Sequence, residues 1–298
     1  MVKAKKAVIA DEKIAWPKRL VYWFEGTGMR TMKISIPFTW SLHEAREKIE
    51  EHSLMCDTFI VGGPGIYLMP DYFNDMPQVS VGYDEPGVLQ RINPMATRTT
   101  TGCVRHCKFC AIGTGKIEGD GFRELADWPD LPVLADNNLL AASQSHFDRV
   151  IDRLIRWGWA DFEQGLDSRL LADYHAERIA QIKSPMVRLA LDSMDYADQW
   201  ENAFSKLRRA GIAKKNIRSY ALIGHTTGEE EAWRRCAWIE GNGHGIKALP
   251  MWFHPLDALE WNAVTPEQAA LGWDDTKRKG IMDFYYWHRG SKHECLAA

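Results

Sequence analysis

The sequence has no apolar run near the ~18–20 residues that a bilayer-crossing helix needs. Its 37 Lys and Arg against 40 Asp and Glu leave no large charge of either sign. The first absence argues against a helical membrane span. The second argues against a wholesale polyanion binder, while a local basic face stays open. Met1 to Lys6 is positively charged, but no apolar stretch of signal-peptide length follows it. There is no low-complexity tract and no solenoid-like repeat. Nor is there the spread set of cysteine pairs that staples small secreted domains. A cytoplasmic protein is expected. The remaining composition is ordinary for a globular chain: 298 residues, 45% hydrophobic and 26% charged, enough for one large or two modest domains.

Residues 1–97 read as a small, Rossmann-like α/β unit. Lys33 to Phe38 has strand character, and Ser41-Leu-His-Glu44 has the form of a capping box opening a charged helix to about His52. Asp57 to Val61 reads as a short buried strand running into Gly62-Gly-Pro-Gly65, so strand, helix, strand and glycine turn give half of a doubly wound fold. Residues 71–94, bounded and broken by Pro70, Pro77, Pro86 and Pro94, read as a connector. From residue 98 to 255 short apolar strands alternate with amphipathic helices. Strands are expected at Pro132–Leu134, Asp161–Leu166, Val187–Leu191, Ile217–Ile223 and Ile246–Trp252. Helices are expected at His146–Trp157, Asp173–Ile182, Asp198–Ala210 and Glu229–Glu240, with Gly211 as a helix stop. This alternation predicts parallel strands with right-handed crossovers, in an open sheet or a barrel. Residues 256–298, with Trp261, Trp273, Tyr285, Tyr286 and Trp287, form an extension that closes the barrel or binds a partner.

Of six cysteines, Cys56, Cys236 and Cys295 are scattered, but three fall together in Thr99-Thr-Thr-Gly-Cys103-Val-Arg-His-Cys107-Lys-Phe-Cys110. A loop with thiolates three and two residues apart can wrap one face of an iron–sulfur cluster. Such clusters normally take four cysteines, so a local count of three leaves one iron free for a non-protein molecule. Structural zinc is the alternative, with His106, Cys236 or His244 as fourth ligand. Zinc sites usually pair two half-sites, and no second Cys-x2-Cys exists. Gly113-Thr-Gly-Lys116 lacks the spacing of a P-loop, and Gly62 to Gly65 does not match the dinucleotide fingerprint. Lys206 to Arg218 holds six basic residues and no acidic one. It reads as a solvated helix end and turn, or as a nucleic-acid face.

The Cys-x3-Cys-x2-Cys motif with Phe109 before its third cysteine, after a strand and opening an alternating α/β run, resembles the radical S-adenosylmethionine (radical SAM) superfamily. The resemblance implies a partial parallel (β/α)6 barrel in which Cys103, Cys107 and Cys110 bind a four-iron four-sulfur cluster. SAM would chelate the remaining iron and be cleaved reductively to methionine and a 5′-deoxyadenosyl radical that takes hydrogen from substrate. It also implies a one-electron donor of flavodoxin or ferredoxin type. Asp136, Asn137 and Asn138 stand where the family often has a Gly-Gly-Glu-like contact to the SAM amino group; a polar turn capping a helix is the other reading. Gln164, Asp167, Arg169 and Asp192 end strands where barrel sites draw their ligands. They are candidates for the ribose, the SAM carboxylate or substrate, against a plain Asp167–Arg169 salt bridge. Tyr220-Ala-Leu-Ile-Gly224 resembles the family's glycine-bearing strand near adenine, and Leu249 to His254 its sixth strand. Tyr220, His225 and His254 are candidates for proton transfer.

The N-terminal unit resembles that of the cobalamin-binding subgroup but lacks its Asp-x-His-x-x-Gly pattern, so a degenerate remnant without the cofactor is expected. Phe162 to Arg169 and Tyr220 to Gly224 look like a set of bacterial and phage radical SAM proteins, a resemblance covering about residues 57–255. Some of these act in nucleobase hypermodification, which implies an isomerase-like or other rearrangement of a modified base in DNA, or a small-molecule substrate. The alternatives are a cobalamin-assisted methyltransferase and a zinc-binding or cluster-bearing module without activity.

Overall fold

The computed structural model describes residues 20–26, 30–82, 85–119 and 121–286. The chain divides between Met95 and Ala96 into two compact units. In the first, β1 (Val21–Glu25) is followed by β2 (Thr31–Ser35), α1 (Leu42–Glu51), β3 (Thr58–Gly62), α2 (Pro64–Leu68), β4 (Val79–Val81) and α3 (Val88–Ile92). The sheet order is β1-β2-β3-β4, antiparallel between β1 and β2 and parallel thereafter. Met32 and Ile34 on β2 and Phe59 and Val61 on β3 alternate into the interior, and Leu42, Ala45 and Ile49 bury one face of α1. The strand–helix–strand reading holds here, with three differences. β1 precedes it, and the expected connector 71–94 contains β4 and α3. Ser41 makes no cap bond, because it already lies in a helical turn (φ −88°) where a capping residue needs extended backbone. Gly63 (φ +94°) explains the glycine turn: a Cβ there would lie 2.7 Å from the Ile36 carbonyl oxygen.

The second unit runs β5 (Ala96–Thr97), β6 (Thr100–Gly102), β7 (Phe122–Glu124), β8 (Val133–Leu134), α4 (Gln144–Trp157), β9 (Ala160–Phe162), α5 (Asp173–Ile179), β10 (Pro185–Ala190), α6 (Ala197–Arg209), β11 (Ile217–Ile223), α7 (Glu229–Glu240), β12 (Lys247–Trp252), α8 (Pro266–Ala270) and α9 (Asp275–Tyr286). Six of its strands form one all-parallel sheet in the order β12-β11-β10-β9-β8-β5. Each new strand is therefore laid beside the last, on the same side. The expected strand Asp161–Leu166 is shorter, because Gly165 (φ +86°) turns the chain and only Leu166 rejoins, as an isolated bridge to Leu189. Between β5 and β8 the chain forms the antiparallel β6–β7 hairpin that carries the three cysteines.

The core of this unit is one cluster. Phe147, Val150, Ile151 and Leu154 of α4, Trp200 and Leu207 of α6 and Ile239 of α7 meet Val187, Leu189, Ile217, Ala221 and Ile223 of the sheet. Trp273, Ile281 and Tyr285 join the same cluster, and Trp273 meets Trp252 edge-on at 5.1 Å. Residues 256–286 thus pack as part of the second unit; Trp287 and Cys295 lie outside the described residues. Among the described residues no helix is long and apolar enough to cross a membrane.

Candidate functional site

All C-terminal ends of a parallel sheet lie along one edge, where open α/β sheets and barrels place their ligand-binding loops. The cysteine hairpin follows β5, residues 136–138 follow β8, 164–169 follow β9, Asp192 follows β10, Gly224 and His225 follow β11, and His254 follows β12. The topology therefore assigns every candidate but Tyr220, which lies within β11, to that edge.

The cysteine loop is closely wound. Gly102 (φ +72°) precedes Cys103, and a Cβ on it would lie 1.7 Å from the Gly121 carbonyl oxygen, so only glycine fits where the loop closes. The Cys110 N–H donates to the Cys107 carbonyl at 3.1 Å, and the Thr114 N–H to the Cys110 carbonyl at 2.9 Å. Gly113 lies so near that a Cβ would be 2.7 Å from the Cys107 nitrogen. The three thiols are half-buried, whereas Val104, His106 and Lys108 between them are exposed.

Polar side chains from neighbouring strand ends meet these sulfurs. The Arg105 N–H donates to Cys103 Sγ at 3.3 Å, and Asn138 Nδ2 approaches the same sulfur at 3.6 Å and Asp167 Oδ2 at 3.3 Å. Asp167 also accepts from Arg105 Nε at 2.8 Å and from Arg169 Nε at 2.7 Å. Burial pushes the Asp167 carboxyl up, but the two arginines prevail and hold it below the usual carboxylate range. Burial pushes the Cys107 thiol up, and the Arg169 guanidinium, which hydrogen-bonds it, opposes that shift without cancelling it. Asp192 also faces Cys107 and Arg169; burial raises its carboxyl, while the Leu222 N–H donates to it at 3.2 Å. The expected Asp167–Arg169 salt bridge is present, and through Arg105 and Cys107 it reaches the cysteine loop as well. Phe109 meets the His225 ring edge-on at 5.4 Å, which brings that histidine to the loop too. Burial lowers the His225 pKa.

Other candidates are placed differently. Asp136 is buried, and its Oδ1 accepts from the Thr99 N–H (2.8 Å), the Thr100 N–H (2.5 Å) and both threonine hydroxyls (3.0 and 2.7 Å). Its Oδ2 is buried without a partner, and burial raises its pKa. Through Oδ1 it anchors the base of the hairpin. Asn137 Nδ2 donates to Glu118 at 3.0 Å. Gln164 is exposed beside a small recess that Asp136 also lines. The Tyr220 hydroxyl donates to the Glu163 carbonyl at 2.8 Å, tying β11 to the end of β9, and burial raises its pKa. A Cβ on Gly224 would lie 2.4 Å from the Trp252 ring, so packing alone demands that glycine. His254 accepts from the Asn262 N–H at 3.1 Å and stacks on Trp261, inside the turn after β12.

Sequence reasoning missed Arg98 and Glu118. Glu118 pairs with Arg98 at 2.6 Å and accepts from the Gly102 N–H at 2.6 Å. Burial raises its pKa, but these partners with Asn137 bring it below the usual range. No spacing rule marks a glutamate fifteen residues beyond Cys103.

The zinc alternative needs a fourth ligand beside the three cysteines. Both nitrogens of His244 are engaged, Nδ1 by the Trp238 and Ile239 carbonyls and Nε2 by Glu201. Cys236 is buried in α7, its thiol pushed up to about 12. Both are thus committed to the interior, whereas His106 is exposed on the cysteine loop. Among the described residues no three His, Cys, Asp or Glu side chains stand close enough to share one ion. A single zinc would need its thiolates around one centre at ~2.3 Å, whereas the cysteines of a cluster each take a different iron. Three half-buried thiols on one loop, with N–H donors aimed at a sulfur and a guanidinium at another, fit such a cluster. Among the described residues of the first unit the strand order does not reverse, so they form no switch-point crevice of the kind that takes a cofactor. The cavity at the ends of its strands is lined by Trp23, Lys33, Glu85 and glycines, with no histidine.

The basic stretch 206–218 is mostly committed within the chain: Lys206 to the Leu171 carbonyl, Arg208 to that of Ile212, Arg209 to Asp173, Lys214 to the Gly243 carbonyl. That matches a helix end and turn. Compared with models of known protein families the chain matches none, and comparison with curated proteins gives no match either.

Proposed function

We propose that the chain is a radical SAM enzyme built on a partial (β/α)6 barrel. One observation carries the reading. A three-thiol loop follows the first of six parallel strands laid down in unbroken order, and polar groups after the next three strands converge on its sulfurs. A four-iron cluster held there would supply the electron that cleaves SAM and frees a 5′-deoxyadenosyl group to take hydrogen from substrate. The chain's own residues have simpler tasks. Arg169 favours the thiolate of Cys107. Asn138 and the Arg105 N–H direct hydrogen bonds at Cys103, which tunes a bound cluster. Asp167 fixes the orientation of Asn138, Arg105 and Arg169 together. His225, against Phe109, is the best-placed group for moving a proton.

The test is anaerobic. Purified protein should be brown with about four irons per chain, and Cys107→Ala should lose them. With SAM and a strong reductant, 5′-deoxyadenosine should form. Deuterated nucleotides and DNA are the first substrates to try, with transfer of label into 5′-deoxyadenosine as readout. Zinc without iron, or full iron in Cys107→Ala, would overturn the reading. Iron without SAM cleavage would indicate a cluster-bearing scaffold.

A further inference from the structure

Two adjacent asparagines grip the cysteine loop at different points: Asn138 at the sulfur of Cys103, Asn137 at Glu118. Glu118 lies inside the loop and gathers three segments. Its Oε2 accepts from the Gly102 N–H at 2.6 Å and from Asn137 Nδ2 at 3.0 Å, while Oε1 pairs with Arg98 Nη1 at 2.6 Å. Those partners come from the end of β6, the segment after β8 and the end of β5. Glu118 does this at φ +64°, a left-handed conformation unfavourable for glutamate, although the next residue is a glycine at φ +68°. A non-glycine residue held there is over-determined by its surroundings, and the carboxylate is what those surroundings hold.

We propose that Glu118 is a positioning residue for Cys103. By fixing the Gly102 N–H it sets the direction in which the chain leaves β6, and with it the place of the first thiolate of the loop. Gly102 has no side chain with which to fix itself, and the β6–β7 ladder pairs it with Phe122 on the β7 side. The carboxylate supplies the restraint from the loop interior. The proposal rests on the radical SAM reading, because it takes Cys103 as an iron ligand.

Glu118→Gly tests this without a backbone penalty, since glycine suits φ +64°. The iron-free variant should keep the parent's far-UV circular dichroism and unfold cooperatively. After anaerobic reconstitution it should lose iron to a chelator about tenfold faster than the parent, in the range usual for groups that orient metal ligands. The electron paramagnetic resonance spectrum of its reduced cluster should change shape. Glu118→Gln keeps an acceptor for the Gly102 N–H and should restore both properties. A Glu118→Gly protein with the parent's iron retention and spectrum would overturn the proposal. If Glu118→Gly does not fold, Glu118→Gln decides alone: parent-like iron retention supports the role, and loss of iron overturns it. A parent chain that takes up no iron would instead sink the cluster reading itself, a distinguishable result.

Discussion

Asp136 and Asp167 are carboxyls beyond neighbouring strands, and their surroundings drive them in opposite directions. Two arginines reach Asp167 and overcome the cost of burying it. Asp136 has only amides and hydroxyls on one oxygen, so burial prevails. The consequences for stability differ in sign. Asp167 has a depressed folded pKa, so its contribution is present above the ordinary carboxylate value of ~3.9 and fades as pH falls through the folded value. Asp136 has a raised folded pKa. The unfolded chain releases its proton first, so stability is lost as pH rises from ~3.9 toward the folded value. Asp136→Asn keeps an acceptor for the threonines and removes that loss. Urea unfolding of parent and variant should therefore shift in the variant's favour between pH 4 and pH 7; a gap that stays constant or moves the other way would contradict a raised pKa. The cysteines, Phe109 and the polar run 164–169 were legible in the sequence because their signal is local spacing. The task of Asp136 was not, since its partners Thr99 and Thr100 are 37 and 36 residues away and meet it only when β5 and β8 pair.

Helix α4 shows which elements a sequence announces and which it hides. Its apolar stripe fits period 3.6, Gly158 (φ +75°) ends it, and the Ser143 hydroxyl caps it by accepting from the His146 N–H at 3.3 Å. Strand β11 and helix α7 likewise end where their apolar patterns end. Strand β8 falls within the expected Pro132–Leu134, whereas the two-residue strand β5 is too short for any period to register, and β6 and β7 are separated by the whole cysteine loop. Ser143 joins the two kinds of element, because Glu124 of β7 accepts from both its N–H (2.5 Å) and its hydroxyl (3.1 Å). Ser143→Ala removes the cap and one of these bonds, and the expected cost is about 1 kcal/mol. Urea unfolding at neutral pH measures it. A change within a few tenths of a kcal/mol would mean that the hydroxyl exchanges these partners for water at no cost.

At the scale of the whole molecule the chain builds two apolar interiors from separate stretches. One draws on Met32, Ile34, Leu42, Ile49, Phe59 and Val61. The other begins at Trp128 and runs to Tyr285. Alternating strands and helices made both legible as α/β, but the sequence alone left open whether residues 256–298 stood apart. For residues 256–286 the answer lies in Trp273, Ile281 and Tyr285, whose apolar side chains are buried in the second interior, a long-range pairing that no local pattern encodes. Cooperative unfolding follows a shared core, so a chain with two cores is expected to depart from two-state behaviour. Calorimetry should give a total enthalpy larger than the van't Hoff enthalpy of either transition. Phe59→Ala, which empties a fully buried site in the first unit, should cost about 3–5 kcal/mol there. It should lower one transition and leave the other, with any bound iron, in place. A single transition that moves as a whole in Phe59→Ala would show that the two interiors unfold as one.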